Sequence, residues 1–490
     1  MSIQGAMSSA LSSLNVLGQQ TNLISNNIAN ANTPDYAQER ISQSEFYGNG
    51  ISGGVVAGAV TVLANDAATA VANQASSSAA YGLQMSNALT AYTTAIGQPS
   101  DASSLSSQLS AFTTALTTLS AAPSDATAQS GAVTAAQGLT STFNSLSATI
   151  SSQRVQADQA VAAGVSSVNN TLAQLAQNET ARQIAAANGQ STASFVNQRA
   201  QLLSTLSSAL PIKVQPTANG GISVSTDGGT TLYDGKVHQL SFTATPVIPS
   251  NMRVTANASD GLIAGLSQVT VDGSPIATSQ SGSIAANLQL RDVTLTGFSD
   301  QLDTLAANLI ATFQNADPTV SVGQTGLFTA GGSALNTTNA ASITGLAGTI
   351  TVNPLLDPSQ NGNPSLVSTG VHATTAGAAS SSTTIIGFLN ALQSSHSVSS
   401  VSGLPPANSL SDAVSQVFGQ QQSLSSMWSS LNTSRTQQAT DAQTALSNQT
   451  GVSVDDQMQR LLIVQQTYQA SAEVIQTASS MLNSLLSIIQ

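Results

Sequence analysis

The chain has 490 residues, enough for about three domains at roughly 150 residues each. Charged residues make up only 7%, and 10 Lys+Arg against 22 Asp+Glu give a net charge of -12. That sign argues against nucleic acid and anionic membranes, which are held by cationic patches. With no cysteine, disulfides, thiolate nucleophiles and Cys-based metal sites are excluded.

Aromatic residues at 3% leave few heavy anchors, so a thin core spread over a long chain is expected. His238, His372 and His396 are far apart, which speaks against a multi-histidine metal site; no metal or cofactor is expected. The first basic side chain is Arg40, and no continuous apolar run precedes it, so no conventional secretory signal is expected. No stretch approaches the ~18 apolar residues of a membrane span.

At the start, Ile3, Met7, Ala10, Leu14, Leu17, Thr21, Ile24, Ile28 and Ala31 step by threes and fours, the repeat of a coiled-coil seam. Gly50 to Ala64 reads as strands and turns. From Asp66 to Leu210 the helical period returns. Leu105, Leu109, Phe112, Leu116 and Leu119 form one seam, and Val161, Val165, Val168, Leu172 and Leu175 another. Breaks are predicted at Gly97–Pro99, at Pro123 and near Gly189. After Pro211 the period drops towards two, with turn signals at Asn219-Gly220, Asp227-Gly228, Asp234-Gly235 and Asp272-Gly273. Helix resumes through Phe298, Leu302, Leu305, Leu309 and Phe313, and a Gly/Pro/Asn-rich stretch to about Ala379 reads as β or irregular. A helix through Leu410, Val414, Val417, Leu424, Trp428 and Leu431 follows. The last helix starts at an N-cap, Ser453, with Asp455 and Asp456 in its first turn and an Asp456–Arg460 pair. Its seam reads Leu461, Gln465, Tyr468, Ala472, Ile475, Ser479, Leu482, Leu486 and Ile489. Unbroken to Ile489, it would be about 54 Å long.

Both ends are almost free of charge: no side chain before Asp35 carries one, and after Arg460 only Glu473 does. Such faces pack against identical copies without like-charge repulsion; a merely solvated surface is the plainer alternative. Terminal helices can pair only if the termini lie together. The predicted fold is therefore mainly α with inserted β domains, a folded-back helical rod whose N- and C-terminal helices pair like a coiled coil. The expected units are 1–47 with 450–490, a helical body of 66–210 with 286–316 and 380–449, a β domain at 211–285, and a second β or irregular excursion at 317–379.

Chemical motifs are weak. Gly48-Asn-Gly50-Ile-Ser-Gly53 fits a dinucleotide fingerprint, and Gly50-Ile-Ser52-Gly-Gly54 a nucleophile elbow, but strand-like Val55-Val56 follows instead of a helix. A loop before a hairpin is the expectation, and no catalytic residue is assigned. Trp428 sits on a helical seam and reads as packing. Lys213 and Lys236, the only lysines, make no basic patch.

The segment Ser25-Asn-Asn-Ile-Ala-Asn-Ala-Asn-Thr-Pro-Asp-Tyr36 resembles the N-terminal signature of the flagellar axial proteins, the family of rod, hook and hook-associated proteins. Leu462-Ile-Val-Gln-Gln-Thr-Tyr-Gln-Ala-Ser-Ala-Glu-Val-Ile475, with Met481-Leu-Asn-Ser-Leu-Leu486, is similar to their C-terminal signature. The long helical block after the first helix is typical of the hook-associated branch; a hook protein turns to β structure sooner. Phe195-Val-Asn-Gln-Arg-Ala-Gln-Leu-Leu203, Leu288-Gln-Leu-Arg-Asp292 and Leu302-Asp-Thr-Leu-Ala306 resemble the same branch. The family places Gly before the motif Tyr, where this chain has Asp35. A left-handed turn is expected there, and Asp tolerates it better than most residues.

The resemblance implies a structural, non-enzymatic subunit of the bacterial flagellum at the hook–filament junction. It implies export through the flagellar type III apparatus without a cleaved leader, and self-association in a ring. The implied partners are the hook protein, the second junction protein (hook-associated protein 3), and an export chaperone on the C-terminal helix. On the matching positions it implies an assembly interface of Leu14, Leu17, Ile24, Asn27, Ile28, Asn30, Thr33 and Tyr36 with Gln466, Tyr468, Ala472, Ile475, Leu482 and Leu486. The hook protein is the alternative within the family, and a secreted surface adhesin the alternative outside it.

Overall fold

The computed structural model describes residues 3–48, 51–255, 262–277, 279–335, 343–374, 381–395 and 409–489. From the N-terminus, α1 (Ile3–Ala29) leads into an antiparallel hairpin of β1 (Glu39–Gly48) and β2 (Ile51–Val62). Four helices follow: α2 (Asp66–Ile96), α3 (Leu105–Ala121), α4 (Ala126–Ala187) and α5 (Ala193–Ala209). A three-stranded antiparallel sheet comes next, from β3 (Ile212–Pro216), β4 (Ile222–Thr226) and β5 (Thr231–Tyr233) in that order. Short pieces complete the β region: β6 (Leu240–Ser241), β7 (Met252–Arg253), β8 (Ile263–Ala264), β9 (Thr270–Val271) and β10 (Ser274–Pro275). Helix α6 (Ser283–Gln289) passes through a π-helical turn at Leu290–Thr294 into α7 (Leu295–Ala316). The pair β11 (Phe328–Ala330) and β12 (Ile350–Val352), then α8 (Leu366–Thr369) and α9 (Thr383–Leu392), precede the long α10 (Leu410–Thr450) and α11 (Val454–Ile489).

Local sequence explains most helix starts. Asn65, Ser104, Asp125, Ser409 and Ser453 each accept a backbone N–H from the first turn of the helix they cap. The breaks fall where Gly and Pro predict them, between α2 and α3, α3 and α4, and α4 and α5. Both predicted seams of the helical block are buried throughout.

The 62-residue α4 is shared between two cores. Its first part, through Phe143, Leu146 and Ile150, packs with α2, α3, α7, α9 and α10. The few aromatic side chains are concentrated here. Phe313 lies 5.0 to 5.4 Å from the rings of Phe388, Phe328 and Phe112, an interlocked knot that joins α3, α7, β11 and α9. Trp428 is buried beside Tyr81, with Arg435 over both rings. The later part of α4, Val161 to Leu175, builds the second core with α5 and Val224, Leu232, Leu240 and Val271 of the β region.

Two departures from the sequence-based expectation stand out. Strand β1 precedes the Gly48–Gly53 segment, so the glycines join two strands instead of leading into a hairpin; Asn49 and Gly50 lie outside the described residues. The 317–379 stretch is not a separate excursion over its described part. Phe328, Leu346, Ile350 and Leu356 are buried in the same core as the helices. Its apolar residues are too few and too irregularly spaced to show that periodicity in sequence.

At the boundary between the two cores lies a buried ionic cluster. Arg291 donates to Asp158 at 2.5 Å and to Asp292 at 2.6 Å, and Arg154 donates to the carbonyls of Arg291, Pro249 and Met252. Asp158 also accepts from the Thr245 amide at 2.5 Å. Burial lowers the Arg154 pKa to about 10. The π-helical turn presents the Arg291 carbonyl to both Arg154 and Thr296. The β region is thus bolted to α4 through groups withdrawn from water.

Removing one member of a buried pair leaves the other uncompensated. Asp158→Asn is expected to lower unfolding free energy by about 3 kcal/mol, read from the shift in urea midpoint; a loss under about 1 kcal/mol would show that Asp292 alone suffices. Asp303 gives a pH prediction. Its carboxylate accepts the Gly345 and Ala347 amides, each at 2.8 Å, and burial outweighs these bonds to push its pKa from 3.8 up to about 7. A folded-state value above the unfolded one means the protonated form supports the fold. That support is complete below the unfolded value and lost as pH rises through about 7. The wild-type minus Asp303→Asn difference in Tm should therefore shrink steadily from pH 4 to pH 8; a difference that grows with pH would contradict this assignment.

Candidate assembly interface

Helices α1 and α11 run antiparallel. Ser13 meets Ser471 across the pair at 3.2 Å, and Asn27 donates to Gln457 at 3.3 Å. Between these two bonds lies a thin apolar seam: Leu17, Ile24 and Val464, with Ile28 and Leu461 against them. On its other flank α1 rests on β2. The approach is close enough that a Cβ at Gly54, where φ is +119°, would collide with Ser12, whose hydroxyl instead accepts the Val55 amide at 3.1 Å.

The described residues of the N-terminal signature form the joint between this pair and the body. Asn27 is fully buried, and its amide has partners on both sides. Its Oδ1 accepts from the Glu39 amide and the Tyr36 hydroxyl, both at 3.0 Å, while its Nδ2 donates to the Glu39 carbonyl at 2.9 Å as well as to Gln457. Burial, then the nearby Glu39 carboxylate, pushes the Tyr36 pKa up to about 12. Burial also raises the Glu39 pKa, opposed by a bond from Asn197. Asn30 closes the end of α1 on the Asn26 carbonyl and Thr33. Asp35 takes the left-handed conformation, φ +58°, and accepts from Gln443 at 2.9 Å. The linker is then stitched to the body: Asn197 of α5 brackets the amide and carbonyl of Ala37, and the Gln38 amide donates to Thr450 at 2.7 Å.

The predicted site residues divide accordingly. Leu17, Ile24 and Asn27 are buried within the chain, and Leu14, Ile28, Asn30, Thr33, Tyr36 and Ile475 are half-buried. Gln466, Tyr468, Ala472, Leu482 and Leu486 are exposed. On α11 the side facing α1 carries Gln457, Leu461, Val464, Ser471, Ile475 and Ala478, so the expected Gln465, Ala472 and Ser479 lie one residue off it. Val464 and Ala478, apolar where Gln465 and Ser479 are not, carried that signal. Gln457 extends the row by one heptad. Asn197 lies in the Phe195–Leu203 segment that resembles the hook-associated branch, but its bonds to Ala37 depend on the tertiary approach of α5.

A second row on α11 faces outward. Ile463, Val474, Met481 and Leu485 are 62%, 45%, 53% and 50% exposed, and Ala470 lies between them on the same heptad spacing. None of the five is charged. The register of the pair brings Met481 opposite Ile3, so Leu485 and Leu486 extend past the described part of α1. No helix among the described residues is long and apolar enough to cross a membrane. Among the described residues no group of three or more His, Asp or Glu side chains is arranged to hold a metal. His238 contacts Asp234 and Asp272, His372 contacts the Thr325 carbonyl, and His396 lies outside the described residues.

Comparison with known families follows the same division of the chain. Residues 7–36 match the flagella basal body rod protein family, residues 92–326 the helical domain of flagellar hook-associated protein FlgK, and residues 442–488 the C-terminal region of the flagellar basal body rod proteins FlgEFG. The middle of the chain is thus similar to a flagellar hook-associated protein, and both of its ends to flagellar rod proteins. Hook-associated proteins are structural components of the flagellum, and the FlgK helical-domain match spans the last turn of α2, helices α3 to α7 and the β region between α5 and α6. Among solved structures, the flagellar hook junction protein FlgK from Burkholderia pseudomallei is similar at 21% identity and a TM-score of 0.42, over 54% of this chain and 47% of that one. The match thus spans about half the length of that protein. No curated protein sequence matches the chain.

Asn27→Ala would strip acceptors from two donors at the joint, at about 1–3 kcal/mol for each group left unsatisfied. We expect trypsin to cut after Arg40 at least about tenfold faster than in wild type or in the exposed control Ser25→Ala, as about 1.4 kcal/mol of local opening requires. Equal cleavage rates would show that the joint does not depend on this amide.

Proposed function

We propose that this chain is a hook-associated protein that forms a ring of identical subunits at the hook–filament junction, after export in an unfolded state by the flagellar type III apparatus. The observation that carries the reading is the outward row of α11. Ile463, Ala470, Val474, Met481 and Leu485 form a heptad seam with no partner among the described residues of this chain, beside an intrachain seam too thin to hold the pair by itself. Leu14, Leu17, Ile24, Asn27, Ile28, Asn30, Thr33, Tyr36 and Ile475 shape the pair and fix its angle to the body. Gln466, Tyr468, Ala472, Leu482 and Leu486 join the outward row in meeting neighbouring subunits.

In this arrangement the terminal unit, 1–47 with 450–490, lies innermost, the helical body surrounds it, and the 211–285 region faces outward. The hook protein and hook-associated protein 3 are the axial neighbours. The chaperone that shields the chain before export takes the C-terminal helix from Leu461 to Ile489. Absence of disulfides and a thin core both favour threading through a narrow channel.

The test separates export from assembly. Val474→Glu with Met481→Glu changes two exposed side chains, so helix content and Tm of the purified chain should stay at wild-type values. Cells carrying it should secrete the protein into the medium but build hooks without attached filaments. Filamented, motile cells would refute the terminal-helix mechanism.

A further inference from the structure

With no cysteine, the chain carries sulfur only in its seven methionines, and oxidation of a thioether turns a flexible apolar side chain into a polar one. The surroundings of these sulfurs differ. Met85 is 1% exposed inside the helical core, Met252 lies half-buried against Gly265, and Met7 is half-buried on α1. Among the described residues the exposed ones are Met427, Met458 and Met481, at 46%, 47% and 53%. Met427 sits on α10 of the body, and Met458 belongs to neither row of α11. Met481 alone stands in the outward row, between Val474 and Leu485.

Hydrogen peroxide oxidises a thioether in one balanced step. The sulfur lone pair attacks one peroxide oxygen, the O–O bond breaks, the sulfide becomes a sulfoxide and the peroxide is reduced to water. No charge is added, so an exposed side chain on the free helix tolerates the change. The sulfoxide oxygen is nevertheless a strong acceptor, and once buried it needs a donor. On α11 none is to spare. One turn before Met481 the Thr477 hydroxyl donates to the Glu473 carbonyl at 2.9 Å, and one turn after it the Ser484 hydroxyl donates to the Ser480 carbonyl at 3.0 Å. Ala478 and Leu485, the other neighbours at helical spacing, are apolar. No basic side chain follows Arg460.

We propose that Met481 is an oxidation site that gates assembly: peroxide-class oxidants convert it to the sulfoxide while the subunit is free, and a neighbour that covers the row shields it afterwards. The thioether fits an apolar contact, and the sulfoxide keeps α11 out of it. This inference rests on the reading of the outward row as the surface that meets neighbouring subunits.

The test measures co-sedimentation of the purified full chain, before and after peroxide, with hooks isolated from cells that lack it. The dose is set by peptide mass spectrometry so that Met85 and Met252 stay reduced. Met481 should oxidise at least about tenfold faster than Met85, which reacts only when the core opens. Helix content and Tm should not change. Treated wild type should bind at least about tenfold more weakly than untreated, as one buried acceptor left without a partner requires. Methionine sulfoxide reductases should restore binding. Met427→Leu with Met458→Leu should keep the full loss on treatment, whereas Met481→Leu should bind to the same extent with and without peroxide. The gate is overturned if Met481 resists oxidation in the free chain, if treated and untreated wild type bind alike, or if the double variant becomes insensitive to peroxide. Untreated wild type that fails to bind hooks at all would overturn the assembly reading itself, and the gate with it.

Discussion

The fold turns on one buried side chain, Asn27. Its amide has partners on β1, α11 and the linker that carries Tyr36, so one side chain sets where α1 stops, where β1 begins and how α11 docks. A buried amide with its groups paired is tolerated; the same amide with partners missing is strongly unfavourable. That asymmetry makes the joint close to all-or-none. It also explains why an Asn, and not a larger apolar residue, stands at a position the helical seam would otherwise fill: an apolar side chain would add to the packing of α1 on α11 but would leave the Glu39 amide and carbonyl unanswered.

Charge is distributed by the same logic. The chain has few charged residues, and several of them are buried where its parts meet. Arg154, Asp158 and Arg291 join the β region to α4, and Glu179 with Arg199 joins α4 to α5 and to the β3–β4 connection. Buried ion pairs add little net stability compared with apolar packing, but they admit very few alternative geometries. The terminal pair is the opposite case, with small polar and apolar contacts and almost no charge. The interior joints are specific and rigid, whereas the terminal pair is weakly held and open to further partners.

Much of this was legible in the sequence because helical periodicity is a local property. The seams at Leu105–Leu119 and Val161–Leu175, the cap at Ser453, and the breaks at Gly97–Pro99 and Pro123 all follow from residues within one or two turns. The left-handed Asp35 was legible for the same reason. What was not legible is long-range. Strand β1 is polar and exposed along most of its length and is defined by its pairing with β2. Phe328 and Ile350 belong to the helical core only because the 317–374 stretch folds back over it. In the candidate interface, the signature asparagines were visible as a motif, yet their role as an intrachain joint depended on Glu39, Gln457 and Asn197, up to several hundred residues away.

Two rows on α11 differ by a single residue: Val464, Ser471, Ile475 and Ala478 face α1, and Ile463, Ala470, Val474 and, one turn further along, Met481 and Leu485 do not. One residue on an α-helix is about 100° of rotation. Because both rows repeat every seven residues, they stay about that far apart along the helix, the geometry of a helix with neighbours on two sides instead of one. Burying an exposed Ile, Val, Met or Leu contributes about 1.5–3 kcal/mol, so four of them roughly balance the ~4–15 kcal/mol of freedom lost when two molecules associate. A single pairwise contact is then marginal, and the free chain has little tendency to dimerise. In a closed ring each subunit meets neighbours on both sides, and closure adds a contact without immobilising another molecule. A seam this weak is therefore compatible with a chain that stays apart until it is placed among its neighbours.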